Sequence, residues 1–90
     1  MRQLYIHFLY ASSIKIQKLY FIIVVNIGER IKEARQAKGL LQRQLAELLH
    51  VNQNAISRWE KGICEPSVDL ICKIARILDC DANYLLGFDI

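Results

Sequence analysis

Residues 40–62, LLQRQLAELLHVNQNAISRWEKG, decide how this chain is read. Apolar residues at Leu45, Ala46 and Leu49 return at the three- and four-residue spacing of a helix with one buried face, so the spacing predicts a helix over about Gln42–Leu49. Three residues, His50-Val51-Asn52, then break the pattern. Asn52 is a good helix cap, and Ile56 and Trp59 supply the inner face of a further helix over about Gln53–Lys61, stopped by Gly62. Ala46 is small where a bulky side chain would force the two helices apart, and Val51 plugs the turn between them. Two short helices joined by so brief a turn form a helix-turn-helix pattern, whose second helix is suited to the major groove of DNA.

At about 100° per residue, Gln53, Asn54, Ser57, Arg58 and Lys61 share one arc of the later helix, and Ile56 and Trp59 fall on the other. The polar arc contains no acid, which would repel phosphate. Gln and Asn can bond both edge atoms of adenine, and Arg can bond O6 and N7 of guanine. An ordinary solvated helix face would also be polar, but is usually richer in Glu and Lys.

Outward from this stretch the punctuation stays regular. Asn26 is expected to cap a first helix, with Glu29 completing a capping box, and Ile27, Ile31, Ala34 and Arg35 on its inner face. Gly39 closes it. Pro66 and Ser67 begin a fourth helix with Leu70, Ile71, Ile74, Ala75 and Leu78 as its stripe. Asp81 caps a fifth over Ala82–Leu86, closed by Gly87. The expectation is an all-α, five-helix domain over residues 26–90, preceded by an apolar extension over residues 1–25.

That extension reads differently. Ile14-Lys15-Ile16-Gln17 alternates, and Leu19–Val25 is a run of β-formers, so a strand is expected there. Lys15 and Lys18 interrupt it, and no uncharged run reaches the roughly 18 residues of a membrane span. Three roles stay open for it: a protein-interaction or membrane-tethered segment, a flexible arm, or residues upstream of a native start at or near Val24 or Val25.

The net charge of +3 misleads, because residues 1–25 hold three basic residues and no acid. Residues 26–90 balance at nine basic and nine acidic, with seven basic against four acidic in 26–61 and two against five in 62–90. A basic half suits a face turned to phosphate. Cys64, Cys72 and Cys80 form no CxxC pair and are expected as free thiols in a reducing cytoplasm, with no metal and no cofactor. No nucleophile-base constellation or phosphate-binding glycine loop is present, so enzymatic activity is not expected.

Taken together, the IGERIKEARQAKGL start, LLQRQLAELLHV, NQNAISRWEKG and the closing EPSVDLICKIARILDC-DANYLLG resemble the Cro and lambda-repressor type of helix-turn-helix domain, often called the Xre family. The resemblance runs from Asn26 to Gly87. It implies a sequence-specific DNA-binding regulator, in most cases a repressor that occupies a palindromic operator as a homodimer; an antitoxin-like regulator is the variant reading. It implies base contacts for Gln53, Asn54, Ser57 and Arg58, phosphate contacts for Gln42, Arg43 and Lys61, and a structural pair of Arg35 and Glu60. Tyr84, Phe88 and Ile90 are apolar residues left over for a dimer contact. Two positions depart from the pattern. Leu41 stands where the family usually has a polar cap, and His50 stands where its turn usually has Gly.

Overall fold

A computed structural model describes residues 13–87. These form five helices: α1 Ser13–Ala37, α2 Gln42–Leu49, α3 Gln53–Glu60, α4 Val68–Ile77 and α5 Ala82–Leu86. No strand occurs among the described residues.

The ends of the four later helices follow from local chemistry. Asn52 Oδ1 accepts from the Asn54 N–H at 2.9 Å, Ser67 Oγ from the Leu70 N–H at 3.2 Å, and Asp81 Oδ1 from the Asn83 N–H at 2.9 Å. Each satisfies a donor that the first turn of a helix leaves open. Leu41, which precedes α2, has no side-chain acceptor. Gln44 supplies half of a capping box instead, its Oε1 accepting from the Leu41 N–H at 2.8 Å. His50 closes α2 at φ 57° and ψ 42°, the left-handed region in which Gly is the usual occupant.

The core is one cluster drawn from all five helices: Ile27 and Ile31 of α1, Leu45, Ala46 and Leu49 of α2, Ile56 and Trp59 of α3, Ile71, Ile74 and Ala75 of α4 with Leu78 just beyond it, and Leu85 of α5. All but Leu85 are residues that the spacing in the sequence marks as inward, while Ala34 and Leu70, expected on the inner faces of their helices, are only partly buried.

The first helix begins much earlier than the sequence predicts. Residues 14–25 continue the same α-helix as Asn26–Ala37 in place of the expected strand, and Asn26 is an exposed residue within the helix, not its cap. The reason lies in tertiary context. Ile27 and Ile31 fix the downstream turns in the core, and adding residues to an existing helix costs far less than starting one. The β preference of Ile and Val is a weak term that such context overrides. No helix among the described residues is long and apolar enough to cross a membrane.

Gly28 shows how closely α1 lies on α3. A methyl group added there would overlap the Trp59 carbonyl oxygen and come within 3.1 Å of the Glu60 carbonyl oxygen. Only a residue without Cβ lets the two backbones approach this far.

Candidate nucleic-acid interface

The outer face of α3 is built by its inner one. Ile56 is fully buried and Trp59 nearly so. With these two side chains seated, the helix repeat turns Gln53, Asn54 and Arg58 to solvent, with Ser57 half-buried between them and Lys61 exposed just past the helix end. The row contains no carboxylate. Glu60, the acid of this helix, points the other way.

Its side chain is 3% exposed and is held by Arg35 of α1. Arg35 Nε donates to Glu60 Oε2 at 2.7 Å and Nη2 to Oε1 at 3.0 Å, while Nη1 donates to the Leu40 carbonyl at 2.8 Å. This two-pronged geometry suits the planar guanidinium. It fastens α1, the loop before α2 and the end of α3 to one another. The structural pair expected from the sequence therefore stands as a direct ion pair.

The start of α2 faces the start of α3 across a shallow cleft lined by Arg35, Leu41, Gln42, Arg43 and Gln53. Arg43 is exposed at its rim. Gln42 is half-buried, and its Nε2 donates one hydrogen to Glu60 Oε1 at 3.0 Å. Arg43 and Gln53 thus come together at one mouth of the surface, with Asn54, Ser57, Arg58 and Lys61 along α3.

Tyr84, a leftover apolar residue by its sequence position, has partners within the chain. Its hydroxyl donates to Glu33 Oε2 at 3.1 Å, and the Arg30 guanidinium lies 4.9 Å from its ring centre. Bonding to the Glu33 carboxylate, followed by slight burial and the nearby charge, holds its hydroxyl above the usual tyrosine range. Phe88 and Ile90 lie outside the described residues. Cys64, Cys72 and Cys80 are free and partly buried. Burial, then Asp79 and Asp81, push the Cys80 thiol up and keep it protonated.

Sequence reasoning missed Gly28, although a lone Gly inside a helical pattern signals close backbone approach. It also missed Asp79 at φ 55° after α4, and the Gln42–Glu60 bond. The last has no signal in one sequence, because the two residues meet only when α2 and α3 are packed.

Five helices, a brief turn closed in the left-handed region and an acid-free polar row define a helix-turn-helix domain. The chain belongs to the helix-turn-helix family, whose profile matches residues 31–85. It is 35% identical over 65 residues to the HTH-type transcriptional regulator ImmR of Bacillus subtilis, covering 72% of this chain and 51% of that protein. It is 32% identical over 65 residues to the HTH-type transcriptional regulator DicA of Escherichia coli, covering 72% and 48%. The chain spans about half the length of these curated relatives. Among solved structures it resembles the repressor C2 of Salmonella phage P22 in complex with a synthetic operator, at TM-score 0.66 and 33% identity over 70% of this chain and 96% of that one. It also resembles the restriction-modification controller protein C.AhdI of Aeromonas hydrophila, at TM-score 0.64 and 35% identity over 69% and 94%.

Proposed function

We propose that this chain is a sequence-specific DNA-binding transcriptional regulator that represses by occupying an operator and excluding polymerase. The observation that carries the reading is the acid-free row on α3, exposed along one side while Ile56 and Trp59 anchor the other. Gln53, Asn54, Ser57 and Arg58 read base edges in the major groove. Arg43 and Lys61 neutralise phosphates and set the register. Two copies dock on half-sites about 34 Å apart, which makes the operator near-palindromic. The P22 repressor, similar over most of this domain and seen with its operator, supports this reading.

Selection of bound sites from random duplex DNA tests it. The expected product is one enriched motif with two-fold symmetry. Enrichment of a single unrepeated half-site removes the dimer, and recovery of no motif removes the regulator.

A further inference from the structure

Helix α1 runs past the core that anchors it. Ile27 is 3% exposed, and Ile23, one turn upstream, is 43% exposed. Gln17, Lys18 and Asn26 are exposed as well. At about 100° per residue, Ile23, Gln17, Lys18 and Asn26 stand roughly 0°, 120°, 220° and 300° around the helix. The rest of the domain therefore flanks this stretch on no side along its whole length. Yet nine of the twelve residues from 14 to 25 are apolar. A helix so apolar is ordinarily covered. Spacing and charge together name the cover. Ile16, Leu19, Ile23 and Asn26 recur at intervals of three, four and three, the spacing of a seam between paired helices. Arg30 comes next in that series and lies over the Tyr84 ring, so the seam stops at Asn26. Lys15 and Glu29 are fourteen residues apart, two full heptads, and so belong to one edge of the seam. Glu29 is the first acid of the chain and is exposed. Two copies laid parallel would set the lysines of both at the same end. Laid antiparallel, Leu19 meets Ile23 of the second copy, Ile16 meets its Asn26, and Lys15 meets its Glu29.

We propose that residues 16–26 of α1 pair antiparallel with the same stretch of a second copy of this chain. The two-fold axis crosses near residue 21, so the contact between Lys15 and Glu29 forms twice. Asn26 opposite Ile16 costs some stability and fixes the register, as a lone polar residue in such a seam does. The seam is short and the core of each domain is complete without it, so the association is reversible and the separate chains stay folded. It goes beyond the DNA-binding reading, and it uses a surface apart from the polar row of α3. An anionic lipid surface would accept the same apolar stretch and its lysines. Lipid gains nothing from Glu29, whereas the helix pair needs it.

The test is sedimentation velocity on the full chain without DNA, across the micromolar range. The native chain is expected to pass from monomer to dimer as concentration rises. Ile23→Glu, Lys15→Glu and Glu29→Lys should each raise the dissociation constant about tenfold, since each change enters the pair twice. An equimolar mixture of Lys15→Glu and Glu29→Lys chains sets opposite charges together at both contacts. It should dimerise within about threefold of the native chain. Ile23 lies outside the core, and far-ultraviolet dichroism of the dilute variant checks that it stays folded. Should it unfold, the two charge variants and their mixture decide alone. A native chain that stays monomeric, an Ile23→Glu chain that dimerises like the native one, or a mixture no better than its components overturns the pairing. Flotation with vesicles of phosphatidylcholine and phosphatidylglycerol is run beside it. A chain that is monomeric in solution and binds those vesicles more tightly as Glu29→Lys overturns the pairing in favour of lipid. None of these outcomes bears on the operator, which site selection tests separately.

Discussion

Arg58 and Lys61 are both exposed cations near the same surface, yet the reading gives them different work. Arg58→Ala should lose about 1–3 kcal/mol on the preferred site and relax the choice at one base position. Lys61→Ala should weaken all sites alike and lower the slope of log affinity against log salt by roughly one. Salt-titrated binding separates the two, and identical behaviour on every sequence sinks the division. Behind them, Glu60→Ala leaves the Arg35 guanidinium buried without its partner and should cost about 3–5 kcal/mol in denaturant unfolding. Leu41→Ser points the opposite way: it restores an acceptor where α2 has none and should gain about 1 kcal/mol. Leu41 and His50 are legible in the sequence, because a cap and a left-handed turn each demand a particular residue type. The Tyr84–Glu33 bond is not. It joins residues 51 positions apart, and nothing local marks it. Because that bond raises the tyrosine pKa, its contribution is present below pH about 10 and is lost as the hydroxyl ionises at higher pH. Absorbance titration of the phenol should show Tyr84 ionising after ordinary tyrosines.

At the scale of elements, α3 to α5 are readable because their starts are fixed by their own residues: Asn52, Ser67 and Asp81 accept from the first turns, and Gly87 closes α5 in the left-handed region. The start of α1 is not readable in this way. Asn26 and Glu29 have the chemistry of a cap, but a cap acts only where the chain leaves the helix, and here residues 13–25 continue it. Neither alternation nor β-propensity can weigh the anchoring of Ile27 and Ile31 against a local preference. The α1–α3 crossing gives the sharpest element-level expectation. Gly28→Ala should gain up to about 1 kcal/mol in helix propensity. It should lose more than that, because the new methyl meets backbone carbonyls of Trp59 and Glu60 that cannot rotate away. A chain with raised melting temperature would show that the two helices can separate freely. The same variant should bind operator more weakly, since it displaces the end of the recognition helix.

For the molecule as a whole, the described core begins at Ile27, while Gln17, Lys18, Ile23 and Asn26 are exposed. Deleting residues 1–24 should therefore shift the melting temperature by no more than a few degrees. A cooperative unfolding transition lost on deletion would assign the upstream half of α1 a part in the fold. The division of charge, basic through residue 61 and acidic beyond it, is legible by counting along the chain, but its placement is not: Arg30 lies over Tyr84, Arg35 is buried against Glu60 and Lys38 lies 3.9 Å from Asp79, while Arg43, Arg58 and Lys61 are exposed. The Arg35–Glu60 clasp has a consequence that reaches beyond the single chain. It has almost no solvent to fall back on, so either partner replaced alone strands the other. Among descendants of this domain the two positions should mutate in concert or stay frozen, and lineages that trade the pair for hydrocarbon should change both codons close together in time. With Gln42 bonded to the same carboxylate, a third codon is drawn into that shared history.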